Sequence, residues 1–378
     1  MLDRFVIIVA AALLPLAPSV VHPQAPAETA RHKASGYIQI AERVVPGVHV
    51  LRQAEPNFAG VIGNVTVIEQ SDGLVLIDGG VSHGSGVRIV ELVKSISPKP
   101  VKTVVITHWH GDHFLGISAI IATWPRADII AHQQTAADMD ARLKQFPREP
   151  SLAYETERIR SLGAVMADLE TTIVRAPSRE QRAGWRAALI NNRELRFADV
   201  AGTHLVMPRR TFTDTLTLPD PAIPVELIFL GRANTAGDIS AWLPRQRVLI
   251  AGDVVVEPIP FMFNVYPSEM LQVYERMRGM NYQVLVPGHG VLQRDRAYLD
   301  RLSGLVRAVQ AQVGPLARQG VALDSIPGRT DFAGERTAFA GSDRWLSYWF
   351  DEYALTPLIE SVYQEVKGEP LGPPPVTP

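Results

Sequence analysis

The chain has no cysteine. That excludes disulfides, thiolate metal ligands and a lipidated cysteine behind a leader, and it is compatible with an oxidising compartment without establishing one. It also lacks net charge: 37 Lys and Arg stand against 39 Asp and Glu, a formal balance of -2, with the two signs well mixed. A phosphate-backbone partner needs a basic footprint, so nucleic acid is not an expected partner. Nor does the leading apolar run reach the roughly 20 residues that a membrane span needs.

What is present has the profile of a soluble globular protein. Of the 378 residues, 46% are hydrophobic and 20% charged, enough for one sizeable core or two modest ones. The opening MLDRFVIIVAAALLPLAPSVVHPQAPA sets Arg4 ahead of a short apolar run, followed by small residues that include Ala25, Pro26 and Ala27. This pattern reads as an export signal over residues 1–27, cleaved to leave no stable membrane anchor. The expected location is periplasmic or secreted.

After the leader, RVVPGVHVLRQ, VIGNVTVIEQ and GLVLIDGG alternate β-branched runs with Gly, Pro, Asn and Asp, as successive strands and turns do. A helix is expected near Gly86–Ile96, then the strand VKTVVIT, a helix in LGISAIIATW and the strand ADIIAH. Strands alternating with helices indicate an α/β class. Long charged segments with helical spacing occupy about 135–198 and read as a helical insertion, either a lid or a scaffold. Strand-like VELIFLG, QRVLIAGD and YQVLVPGHG close the main domain, 37–300. A helical extension is expected over 301–367, with Trp345, Tyr348, Trp349, Tyr353 and Leu355 on roughly one face, chiefly for packing. The Pro-rich residues 368–378 are expected to be unordered.

The chemistry concentrates in ITHWHGDHFLG, where His108, His110, Asp112 and His113 fall within six positions. Neutral imidazoles bind divalent metals near neutral pH, and a carboxylate adds a hard anionic oxygen. Other apolar runs also end in ligand-type residues: GLVLI in Asp78, VELIFLGRA in Asn234, RVLIAG in Asp253 and YQVLVPG in His289. In open α/β sheets, ligands bind at the carboxyl ends of strands. Any one of these residues alone could simply be capping a turn, but the group together with the His cluster points to a metal site.

With LIDGG, ITHWHGDHFLG, GRANTAGDISAWLP, AGDVVV and VPGHG in this order, the sequence resembles the metallo-β-lactamase superfamily over about residues 40–300. The resemblance implies a four-layer αββα sandwich carrying a helical insertion and a C-terminal helical extension, with one or two Zn2+ ions. It implies that His108 and His110 hold the first ion, that Asp112, His113 and His289 hold the second, and that Asp253 bridges them. Asp78 and Asp238 take supporting places behind the ligands. One position departs from the family's pattern: Asn234 stands where a His is usual, which makes it a neutral, weaker ligand and weakens the first site. His83, His132 and His204 are expected to line surfaces rather than to replace the missing imidazole.

Metal coordination lowers the pKa of water toward about 7, so hydrolysis by zinc-bound hydroxide is the expected reaction, with Asp112 orienting the water or taking its proton. The acidic Asp253, followed by Val254, Val255, Val256 and Glu257, resembles the family's thioesterase, lactonase, sulfatase and phosphodiesterase branches, among which cleavage of a carboxylic ester, lactone or thioester is expected first. A small-molecule substrate with such a bond is the first expectation. β-Lactam hydrolysis is the alternative within the enzyme class, and a non-catalytic metal-binding protein is the alternative that Asn234 raises.

Overall fold

The computed structural model describes residues 39–53, 62–191 and 200–373. The leader expected over 1–27 and residues 374–378 of the tail lie outside the described residues. The chain divides into two compact units: Met1–Ala131 with Leu143–Thr211, and His132–Arg142 with Phe212–Pro378. The fold is α/β, with two mixed sheets, helices and a helical C-terminal segment. No helix among the described residues is long and apolar enough to cross a membrane.

The first unit is built on β1 (Gln39–Val45), β2 (Val48–Gln53), β3 (Val65–Gln70), β4 (Gly73–Ile77), β5 (Val101–Ile106), β6 (Asp128–His132) and β7 (Arg210–Phe212), which lie side by side in that order. β1 to β4 pair antiparallel, and β4, β5 and β6 pair parallel. Every residue of β4 is buried, as is all of β5 except half-exposed Lys102, which is the continuous apolar pattern of strands covered on both faces. The parallel connections are α1 (His83–Ile96) and α2 (Ile117–Thr123). Ser82 and Ser85 form a reciprocal cap that starts α1 immediately after the β4 turn. Because Ile77 pairs with Val105, β4 and β5 finish level, and Asp78 and Thr107 emerge at the same edge. Register thus places the acid beside the His cluster.

Within the expected insertion lie α3 (Gln133–Arg142), α4 (Leu152–Arg175) and α5 (Arg179–Asn191), of which α3 belongs to the second unit. Ser151 caps α4 by accepting from the Tyr154 N–H, yet only Leu162, Leu169 and Ile173 of its residues are buried. So narrow a stripe leaves Leu152 and Val174 largely exposed.

The second unit carries a sheet ordered β12 (Val284–His289), β11 (Val248–Val256), β10 (Ser240–Leu243), β9 (Val225–Ile228), β8 (Thr215–Leu218). β11 and β12 are parallel and joined through α6 (Pro267–Gly279), which has Pro at its first turn, where the missing N–H costs nothing. All of β11 is buried. The C-terminal helices are α7 (Ala297–Arg318), α8 (Ala333–Ala340), α9 (Arg344–Trp349) and α10 (Thr356–Lys367). The single aromatic face read from sequence is interrupted, because Phe350–Leu355 form a π-helical turn between α9 and α10. The aromatic residues still meet one another: Trp345 lies 5.3 Å from Trp349, and Trp349 lies 4.3 Å from Tyr353. Tyr353 continues the contact to Phe261 and Phe263 in the loop after β11. Residues of the tail are described as far as Pro373, whose carbonyl accepts from Arg142.

Candidate metal centre

In the first unit, the turn after β5 gathers the imidazoles. His108 and His113 are fully buried, and His110 is half-buried. The His108 Nε2 and His110 Nδ1 atoms lie 3.0 Å apart, and His113 Nε2 lies 3.5 Å from Asp112 Oδ2. Nitrogen and oxygen ligands about 2.0–2.1 Å from a tetrahedral zinc ion are separated by about 3.3 Å, so these spacings suit chelation.

Asp78 organises this half from behind. Its backbone holds a left-handed conformation, φ 68°, which Asp tolerates better than most residues. Its carboxylate accepts from the Thr107 N–H at 2.8 Å, the Thr107 hydroxyl at 2.9 Å and His113 Nδ1 at 2.8 Å. Thr107 spends its one hydroxyl proton on Asp78, so toward His108 Nδ1, 3.0 Å away, it accepts. Both imidazoles therefore carry their proton on Nδ1 and offer the Nε2 lone pair as a ligand. A buried carboxylate behind metal-binding His residues raises their basicity and fixes their rings.

In the second unit, β11 and β12 carry Asp253 and His289, with His289 Nε2 3.4 Å from Asp253 Oδ1. Gly288 makes room for this pair, since a Cβ there would collide with Asp253 Oδ1. Gly63 does the same for His113 in the first unit, where an added Cβ would lie 2.6 Å from the ring. Tyr298 of α7 donates to the carbonyls of Val256, 2.6 Å away, and Pro258, 3.0 Å away, pinning the chain that leaves β11. Burial holds its phenol well above the ordinary range, so it stays a donor.

The loop bearing Asn234 also belongs to the second unit. Asp238 accepts from the Thr235 N–H at 2.7 Å and from its hydroxyl at 2.8 Å, closing a tight loop. Asn234 is buried and donates from Nδ2 to the Phe261 carbonyl at 2.9 Å.

Side chains that could hold a metal ion are His108, His110, Asp112 and His113 in the first unit and Asp253 and His289 in the second. His132, His83 and His204 make other contacts. His132 Nε2 donates to the Thr213 carbonyl at 2.8 Å while its Nδ1 accepts from the Gln134 N–H. His83 Nδ1 lies 3.0 Å from the Ser118 hydroxyl, and His204 Nδ1 lies 2.9 Å from the Gly202 carbonyl. Thr107, Gly63, Gly288 and the Phe261 carbonyl were not singled out from the sequence. The only signals were a hydroxyl residue between a strand and the His cluster, and Gly288 directly before His289; nothing in the pattern marks Gly63 or the Phe261 carbonyl.

Two mixed sheets whose strand ends carry this imidazole and carboxylate set define an α/β metallo-hydrolase. The chain belongs to the metallo-beta-lactamase superfamily, whose family model matches residues 59–289. Among curated proteins it is similar to a linear primary-alkylsulfatase of Pseudomonas sp. (strain ATCC 19151), 22% identical over 65% of this chain and 45% of that one. It is also similar to a metallo-beta-lactamase type 2 of Bacillus sp. (strain 170), 24% identical over 62% of this chain and 69% of that one. Among solved structures, the stereoselective inverting sec-alkylsulfatase Pisa1 from Pseudomonas sp. matches 87% of this chain and 50% of its own, with a TM-score of 0.60 and 19% identity. This chain thus spans about half the length of the alkylsulfatases it matches.

Proposed function

We propose that the protein is a zinc-dependent hydrolase that cleaves a carboxylic ester, lactone or thioester bond in a small organic substrate, and that it works in the periplasm or outside the cell. The observation that carries this reading is the donor set: imidazoles with Nε2 lone pairs turned outward by Asp78, with carboxylates rather than thiol or hydroxyl groups among them. Zinc held by such donors lowers the pKa of a coordinated water toward about 7 and polarises the substrate's oxygen. His108, His110 and Asp253 would hold one ion and Asp112, His113 and His289 another.

Asp112 is the residue placed to take a proton. Its side chain is 16% exposed, more than any imidazole of its own set in the first unit, and its carboxylate is close enough to His113 to be fixed in direction. Asp78 holds no substrate in this scheme. Its charge keeps two imidazoles in one tautomer throughout a turnover, so no catalytic geometry has to be found anew. The protein's near-neutral balance of charge supports a small substrate over a polyanion.

A second reading, hydrolysis of alkyl sulfate esters, is favoured by the similarity to the Pseudomonas alkylsulfatase. The similarity to the Bacillus lactamase keeps β-lactams in the same comparison. The deciding experiment is a panel of aryl and alkyl carboxylic esters, lactones, acyl thioesters, alkyl sulfates and β-lactams, assayed with metal-loaded and chelator-stripped protein. The proposal expects metal-dependent cleavage of the carbonyl substrates above the others. Turnover confined to sulfates or β-lactams would replace it with one of those readings, and no turnover beside full metal content would leave a metal-binding protein.

A further inference from the structure

Within the first unit, a short segment beyond the helical insertion is fastened to two helices at once. The Gly202 N–H donates to Glu155 Oε1 of α4 at 2.9 Å, and the Thr203 hydroxyl accepts from the His83 N–H, at the start of α1, at 3.0 Å. Gly202 holds a left-handed backbone, φ 78°, and lies so close to the His83 ring that an added Cβ would be 3.0 Å from Cδ2. Ser118 of α2 spends its one proton on the Leu115 carbonyl at 3.2 Å, so toward His83 Nδ1, 3.0 Å away, its hydroxyl accepts. The neutral His83 ring therefore carries its proton on Nδ1. His204 Nδ1 donates to the Gly202 carbonyl at 2.9 Å, and the Leu205 N–H donates to the Pro147 carbonyl at 2.7 Å. Residues 202–205 thereby tie the start of α1 to α4 and to the chain that leads into it.

We propose that residues 202–205 are an acid-released strap, which holds α4 of the insertion against the start of α1 at neutral pH and lets go when His83 takes a second ring proton. The charged groups that act on His83 are His204, on the strap, and Glu155, on α4. α2 carries none, and along α1 the first charged residue after His83 is Arg88. Burial is the largest force against a charge on the ring, the His204 imidazole adds to it, and Glu155 opposes both; the outcome is a pKa below the ordinary imidazole value. The fastened state thus favours the neutral ring. Its advantage is fully present above about pH 6.5 and is lost as pH falls from there through the depressed value. The insertion is a fixed scaffold at neutral pH and is freed from α1 in acid. No metal enters this device, so it stands or falls apart from the hydrolase reading.

The test is hydrogen–deuterium exchange of the full-length chain at pH 7.5 and pH 5.5, corrected for the intrinsic pH dependence of amide exchange and read on peptides that cover residues 202–205 and β5. Protection of the strap is expected to fall by about three- to tenfold in acid, tenfold being roughly the most that one group with an ordinary pKa near 6.5 supplies over this interval. Protection of β5 stays within about twofold, which separates release of the strap from unfolding of the unit. His83→Asn keeps a donor near the place of Nδ1 and cannot titrate, so its strap protection is expected to be the same at both pH values. His204→Asn keeps the bond to the Gly202 carbonyl and removes the neighbouring imidazole, so its loss in acid should be smaller than in the wild type. Equal strap protection at the two pH values in the wild type overturns the proposal, as does a folded His83→Asn protein that keeps the full acid loss. If His83→Asn does not fold, an undiminished loss in His204→Asn overturns it equally.

Discussion

His113 and Asp78 are joined by a 2.8 Å hydrogen bond between Nδ1 and a carboxylate oxygen, both side chains being buried. The acid also takes both donors of Thr107, so one carboxylate sets the tautomer of His113 directly and of His108 through a hydroxyl. Asp78→Asn isolates the charge in this arrangement. Asn tolerates the left-handed backbone that residue 78 adopts, so the fold is expected to survive. Metal affinity should fall by about 10–100-fold, measured by competition with a chromophoric chelator. Affinity equal to wild type would mean that the carboxylate supports the backbone alone.

Gly288 and Gly63 give a steric counterpart. Gly288→Ala places a methyl against Asp253, and Gly63→Ala places one against the His113 ring. Each is expected to destabilise by about 1–3 kcal/mol in urea unfolding, the usual cost of forced overpacking. Each should also lower metal content, because the displaced atom belongs to a proposed metal ligand. A loss of stability with metal content intact would show that the neighbouring chain, and not the Asp253 or His113 side chain, absorbs the clash.

His132 provides the pH dependence. Burial lowers its pKa below the ordinary imidazole value, against the smaller raising effects of the Thr213 carbonyl and Asp214. In the fold its Nδ1 accepts an N–H, so a second ring proton has no place to go. The unfolded chain thus binds the proton more readily. The contribution is fully present above the unfolded pKa of about 6.5 and is lost as pH falls from there through the depressed folded value. The thermal midpoint of the apo chain should drop between pH 7 and pH 5, and His132→Gln should flatten part of that slope. An unchanged slope would assign the acid sensitivity to other groups, of which His49 and His83 are also lowered by burial.

Tyr298 tests the support beneath the second half of the centre. Tyr298→Phe removes the donor to the carbonyls of Val256 and Pro258 and leaves the ring in place. The expected cost is about 1–3 kcal/mol, read from chemical denaturation. A neutral result would show that the carbonyls find another donor once the phenol is gone.

The candidate site residues stand out in the sequence because β4, β5, β11 and β12 are runs buried almost throughout, and each apolar run has a polar residue at or near its end. Three strands escaped notice: β7 has only three residues, β8 alternates with exposed threonines, and β10 is the four residues Ser240–Leu243. α6 was missed among polar residues behind Pro267. The π-helical turn at Phe350–Leu355 could not be read from helical spacing; within it the Tyr353 carbonyl accepts from the Met262 N–H, a partner distant in sequence. The same holds for Phe261 and Asn234, 27 residues apart, whose bond uses a backbone carbonyl that no side-chain pattern reports.

The central claim is the proposed metal-ligand role of His113 and His289, and metal counting on paired variants addresses it most directly. Metal content by mass spectrometry, with zinc dissociation constants, is to be compared for wild type, His113→Ala, His289→Ala and the double variant. The account predicts that either single change removes about as much metal as both together, because the two imidazoles serve one ion. Two losses that simply add, or a His289→Ala protein retaining the full count, would contradict it.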